Sequence, residues 1–342
     1  IVMDPKTGEI LAQASAPTFD PNVPSSITVD KLNNPSVQEV YEPGSTGKVI
    51  TVAAAMEEGL ITPETIFTIP YSMKVSDGVF RDHEKHPTQR LTTTGLLAVS
   101  SNTGSIKIGQ KLGKDNLYKY LTKFGIGQST NSKLPGESAG ILHPVKDWSG
   151  TSLPTISFGQ GYSLTAMQST SVFATIANNG VRVKPSILAG VVDENGKYTP
   201  SAANESTRVL SEQTAINMRA MMENVVSKNG TAPSAAIDGY RVAGKTGTAE
   251  RYNTACRCYS GYTASFIGFA PADQPKYVVS VTIQDPKGMH WGGVLAGPVF
   301  KKVMGFVLQN QRISPTPETK TFYSLTEAAL KQRSKITPKS GA

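Results

Sequence analysis

Apolar and polar positions alternate in a way that changes twice along the chain. Residues 1–15, "IVMDPKTGEILAQAS", set two apolar runs around a turn carrying Pro5 and Gly8 and predict a β-hairpin. Residues 16–44 are rich in Pro, Asn and Ser and predict a long surface connection. "STGKVITVAAAMEEGL" then reads as a helix, and residues 62–90 read as short strands and loops. "TTTGLLAVSSNTGSIKIGQKLG" predicts two helical pieces broken around Ser100 to Asn102. "KDNLYKYLTKFGIG" puts Leu117, Leu121 and Phe124 on one helical face, with Gly125 as the stop. "PGESAGILHP" reads as loop, "LTAMQSTSVFATIANNG" as an apolar helix ended by Asn179-Gly180, and "TAINMRAMMENVVSKNG" as a further helix.

From residue 240 the period shortens. "YRVAGKTGTAE", "YTASFIGFAPA" and "KYVVSVTIQDP" are three β-rich runs in succession, which argues an antiparallel sheet. "GPVFKKVMGFVLQNQ" predicts a helix with Pro298 near its first turn. Joining the N-terminal hairpin to the three late strands gives an α/β fold: an antiparallel sheet of about five strands flanked by helices, plus a mostly helical lobe. The boundary expected is a domain over residues 1–313 and a polar, loosely attached tail over 314–342.

Composition narrows the classes. With 342 residues, 38% apolar and 18% charged, the chain has ample core for one large domain or two ordinary ones. Lys and Arg exceed Asp and Glu by 34 − 26 = 8, but without a dense basic run, so no nucleic-acid partner is expected. The basic exterior suits anionic lipid or anionic wall polymer. No apolar run is long enough to span a bilayer. The abrupt opening on a hairpin is read as a sign of a missing upstream segment. Cys256 and Cys258 are read first as ordinary loop thiols, with a disulfide across so short a separation as the strained alternative.

Three short motifs carry chemistry. In "STGK", Ser45 and Lys48 are three apart and share a helix face. A serine hydroxyl needs a base, and a lysine serves once desolvation lowers its pKa; the apolar helix that follows supplies that desolvation. In "SSN", Ser100 could relay a proton and Asn102 could hold both a carbonyl and the lysine. In "AGKTGTAE", Lys245, Thr246 and Thr248 offer a cation and two hydroxyls on one side of a strand, and Gly247 permits close approach of a substrate. Each alone is weak, since S-x-x-K arises by chance, "SSN" reads equally as a helix cap and a turn, and "AGKTGTAE" as a Thr-rich strand.

In sequence order they are S-x-x-K, S-x-N 55 residues later (100 − 45) and K-T-G 143 residues beyond that (245 − 102). With "MDPKTGEILAQAS", "FGQGYSLTAMQ", "GTA" at 230–232 and "GGVLAGPVF", the chain resembles the transpeptidase domain of class B penicillin-binding proteins over nearly its whole length. "CRC" is similar to actinobacterial members and "YEPGST" to the division type.

The resemblance implies Ser45 as acyl-accepting nucleophile, Lys48 as its base, Ser100 as proton relay and Asn102 as holder of the donor carbonyl. It implies an oxyanion hole from the backbone N–H groups of Ser45 and Thr248. Lys245, Thr246, Gly247 and Thr248 would bind the donor's terminal carboxylate. The implied reaction is D,D-transpeptidation of peptidoglycan stem peptides, a D-Ala-D-Ala donor and an amine acceptor, blocked by β-lactams, with no metal and no cofactor. The resemblance further implies a cytoplasmic tail, a single membrane helix and a stalk upstream, an extracytoplasmic position for this domain, and a membrane glycosyltransferase with division or elongation proteins as partners. The rivals on the same motifs are a D,D-carboxypeptidase, a serine β-lactamase and a non-catalytic β-lactam sensor. A β-lactamase would want a Glu-x-x-x-Asn loop, and Glu137 is followed four residues on by Ile141.

Overall fold

A computed structural model describes residues 1–253, 256–316 and 323–336. The expected sheet is present. Five antiparallel strands run in the spatial order Ala243–Asn253, Cys258–Ala270, Tyr277–Gln284, Val2–Met3, Ile10–Ala12. The N-terminal hairpin pairs directly with the last strand, Val2 opposite Val279 and Met3 opposite Val278. Period-two alternation feeds two cores. Ile267 joins the larger one, with the helices Lys48–Glu57 and Ala166–Ala177, whereas its neighbour Phe266 packs edge-on against Phe300 of the helix Gly292–Asn310, ring centres 4.7 Å apart. The strand Ala243–Asn253 is the edge, so one side of it faces the helical lobe instead of another strand.

The lobe follows the sequence reading closely. Short strands fill residues 66–92, the helices Thr93–Ala98 and Asn102–Leu112 break at Ser100, and a capping box of Thr165 and Gln168 starts the helix Ala166–Ala177. Gly125 stands at φ +91° where the helix Lys114–Lys123 has ended.

Three expectations change. Pro298 lies seven residues into the helix Gly292–Asn310, not in its first turn. The helix begins early because Gly292 and Gly293 allow it to touch backbone: a side chain at Gly292 would meet the carbonyls of Gly247 and Ser265, and one at Gly293 that of Thr231. Cys256 and Cys258 are joined in a disulfide, their Cα atoms 5.2 Å apart, because Arg257 between them turns into the left-handed region at φ +53°. Part of the C-terminal stretch is docked, not loose. Leu325 accepts a hydrogen bond from Thr92 N, the helix Glu327–Ile336 sets Glu327 on Arg90, and Arg333 pairs with Glu64. A sequence pattern shows polarity but not these partners, which lie more than 230 residues away. Residues 317–322 and 337–342 of that tail fall outside the described residues.

Candidate active site

Ser45 sits in a single 3-10 turn, Gly44–Gly47, which runs straight into the helix Lys48–Glu57. The "EPG" entry is sharp because Gly44 takes φ +54°, and its amide is fixed by Gly159 O at 2.8 Å. A side chain at Gly44 would press on Ala249 of the edge strand, so the serine turn lies against that strand. From Pro43 to Met56 every residue is buried except Ser45. The nucleophile candidate is thus the one group of this segment open to a substrate.

Lys48 is fully buried. Its ammonium donates to Ser100 O, to Asn102 Oδ1 at 2.7 Å and to Ser100 Oγ at 3.3 Å, and among the described residues no carboxylate touches it. Burial pulls its pKa down to about 7, against an opposing pull from the charge of Asp82. Lys245, from the edge strand, is also fully buried and donates to the same Ser100 Oγ at 2.9 Å. Its pKa is held well below the ordinary lysine value by burial and by Lys48. One hydroxyl therefore bridges two desolvated lysines. Ser100 reaches between them because its backbone stands at φ +62°, a conformation that costs a non-glycine residue energy and persists only where surroundings enforce it.

Asp82 does the enforcing, and sequence reasoning missed it. This nearly buried carboxylate accepts from Asn102 N at 2.6 Å, Thr103 N at 2.8 Å and Ser101 Oγ at 2.7 Å. It caps the helix Asn102–Leu112 from a loop twenty residues upstream (102 − 82). His86 holds its other side at 3.0 Å. Nothing in "FRDHEKHP" distinguishes this Asp from any loop carboxylate.

The third motif divides its labour. Thr248 accepts a hydrogen bond from Gly292 N at 3.1 Å, which leaves its own proton to donate, and it is partly exposed. Thr246 is nearly buried and shares a hydrogen bond with Thr231 at 2.8 Å, the Thr of the "GTA" stretch. A side chain at Gly247 would strike Ser265 Oγ and crowd the carbonyl of Pro43, so the strand and the serine turn pack closely there. At the rim, His83 meets Trp291 edge-on at 4.0 Å, which ties the Asp82 loop to the start of the helix Gly292–Asn310.

All three motifs therefore converge on one cleft between the edge strand and the lobe. The sequence matches the family model for the penicillin-binding protein transpeptidase domain over residues 1–305. The chain belongs to that family. Among relatives of this transpeptidase domain, the penicillin-binding protein PbpB of Mycolicibacterium smegmatis is 40% identical over 329 residues, covering 93% of this chain and 51% of its own length. The peptidoglycan D,D-transpeptidase FtsI of Escherichia coli is 35% identical over 317 residues, covering 92% and 52%. The crystal structure of penicillin-binding protein 3 from Mycobacterium tuberculosis complexed with ampicillin superposes with a TM-score of 0.88 at 38% identity, over 93% of this chain and 73% of that one. The chain spans about half the length of the curated relatives it matches. Among the described residues no helix is long and apolar enough to cross a membrane.

Proposed function

We propose that this domain cross-links peptidoglycan as a D,D-transpeptidase through an acyl-enzyme on Ser45, and that β-lactams acylate the same serine. One observation carries the reading: Lys48 is buried, has no carboxylate on it, has its pKa drawn down to about 7, and lies one turn from the only accessible residue of its segment. Neutral Lys48 takes the Ser45 proton as the oxygen attacks the D-Ala-D-Ala carbonyl carbon. The backbone N–H groups of Ser45 and Thr248 hold the resulting oxyanion. Asn102 holds the donor peptide's own carbonyl. The proton passes from Lys48 through Ser100 Oγ to the departing nitrogen, and D-alanine leaves as the C–N bond breaks. An amine from a neighbouring stem then attacks the ester, returns its proton along the same path and releases Ser45. Lys245 and the hydroxyl of Thr248, with room made by Gly247, receive the donor's terminal carboxylate, while Thr246 Oγ1 backs Lys245 from behind at 3.3 Å.

The boundary we assign is a catalytic domain over residues 1–313, with residues 314–342 as an appendage. In the whole protein we place the domain outside the cytoplasm behind a single membrane helix, beside a membrane glycosyltransferase and division or elongation proteins. Kinship with FtsI and PbpB supports that reading. Against a β-lactamase stands Glu137, whose carboxylate is committed to Ser129 Oγ, Thr130 N and Oγ1, and Ser132 N in its own loop.

Intact mass after mixing with benzylpenicillin tests the proposal. A stoichiometric adduct that persists for hours and is absent in Ser45→Ala is the expected result. An adduct that vanishes as drug is consumed would mean a β-lactamase, and no adduct would overturn the assignment of Ser45. Release of D-alanine from a stem peptide with and without an amine acceptor separates transpeptidase from carboxypeptidase and from sensor.

A further inference from the structure

A second cavity lies away from the cleft, and none of its lining residues belongs to the three motifs. It encloses about 240 Å³ between the loop after the helix Lys114–Lys123, the helix Ala166–Ala177 and the strand Val181–Val183. Arg182 enters it from the strand. Its guanidinium rests against the backbone of Gly125, so close that a side chain there would collide with Nη1. The left-handed turn at Gly125 is thus also what makes space for the arginine.

Arg182 is partly buried, yet among the described residues it has no carboxylate, carbonyl or hydroxyl partner. That sets it apart. Arg241 is gripped by Glu223, Arg219 by Asn179 Oδ1, and Arg208 by the carbonyls of Asn179 and Leu210. A partly desolvated cation without an acceptor carries a free-energy cost. Burial lowers the pKa of Arg182 with no neighbouring charge to offset it.

The rest of the lining points the same way. Ser171, only 4% exposed, lines the cavity and its hydroxyl makes no hydrogen bond among the described residues, whereas Thr170 and Thr175 of the same helix bond back to carbonyls. Asn131 brings an amide side chain that is likewise unengaged. The acidic groups nearby are committed elsewhere: Glu137 to its own loop and Glu205 to Lys184 at 2.6 Å. The amide of Gln168 is already spent on the carbonyls of Gln128 and Ala139. Among the described residues, what remains free is one guanidinium, a hydroxyl and an amide, with no anionic group left to match the guanidinium.

We propose that this cavity is a binding site for a small oxyanion, a carboxylate or a phosphate, held by the guanidinium of Arg182 and the hydroxyl of Ser171. Planar guanidinium suits either group through paired N–H bonds. Thermal melts of the whole chain in inorganic phosphate, in succinate and in chloride at matched ionic strength test it. A saturable rise in phosphate or succinate beyond chloride is expected, and which of the two acts identifies the anion class. In Arg182→Gln the apparent dissociation constant should weaken roughly tenfold or more. Ser171→Ala should weaken it less and serves as the deciding variant if Arg182→Gln does not give a native near-ultraviolet dichroism spectrum. A rise no greater than that in chloride, or one unchanged in these variants, would overturn the proposal.

Discussion

The molecule buries cations in two opposite ways. Arg241 and Glu223 form a bidentate pair at 2.9 and 2.6 Å with both side chains about nine-tenths buried, and the carboxylate raises the pKa of the arginine. Lys48 is buried more deeply, yet its partners are a carbonyl, a hydroxyl and an amide oxygen, and its pKa falls to about 7. The first arrangement fixes a charge. The second makes a charge easy to lose, which is what a base requires. It has a stability cost with a definite sign. Unfolded, Lys48 returns to its ordinary value of 10.5. Between about pH 7 and that value the unfolded chain binds the extra proton, so the domain gains stability as pH rises across that window.

Exchanging the two roles gives the largest effect. Lys48→Met keeps the volume and removes the buried ammonium. Benzylpenicillin acylation, read by intact mass against time, should fall roughly 10²- to 10⁴-fold. The urea midpoint should hold or rise, since an apolar isostere of a buried charge is often neutral or stabilising. Normal acylation in that variant would remove Lys48 from the base role. Glu223→Gln should do the reverse. It strands Arg241 and lowers stability by about 3–5 kcal/mol, seen as a lower midpoint at unchanged slope, while the protein that remains folded acylates at the wild-type rate.

Asp82 sharpens the comparison, because it acts on Lys48 from a distance without pairing to it. Wild-type acylation should fall as pH drops below about 7, where Lys48 holds its proton. Asp82 raises that pKa, so Asp82→Asn should move the midpoint to lower pH. The rate on the alkaline plateau should also fall about tenfold, because loss of the cap loosens the Ser100 turn by about 1–2 kcal/mol. A slower plateau with an unmoved midpoint would leave Asp82 as a cap alone.

Local signals were legible wherever neighbours in sequence are neighbours in space. Ser45 and Lys48 are one helical turn apart, Thr246 and Thr248 share a strand face, and the change from helical to strand period near residue 240 announced the sheet. The order of the three motifs then carried the family resemblance, and the structure brings Ser45, Lys48, Ser100, Asn102, Lys245 and Thr248 to one cleft. Thr246 went deeper than expected, since its hydroxyl is shared with Thr231.

Long-range partners decided the rest. Asp82 became part of the site because its loop returns to the helix start at Asn102, and that Arg182 lacks an acceptor among the described residues is visible only in the fold. The disulfide of Cys256 and Cys258 needed the turn at Arg257, and the docking of residues 323–336 needed Thr92, Arg90 and Glu64 from the other end of the chain. The sequence by itself determined which side chains could do chemistry and which local elements would carry them, because propensity, period and motif spacing are properties of short segments. Only the tertiary structure decided which charges lose their water and which find a counter-ion, because desolvation depends on everything that packs around a group.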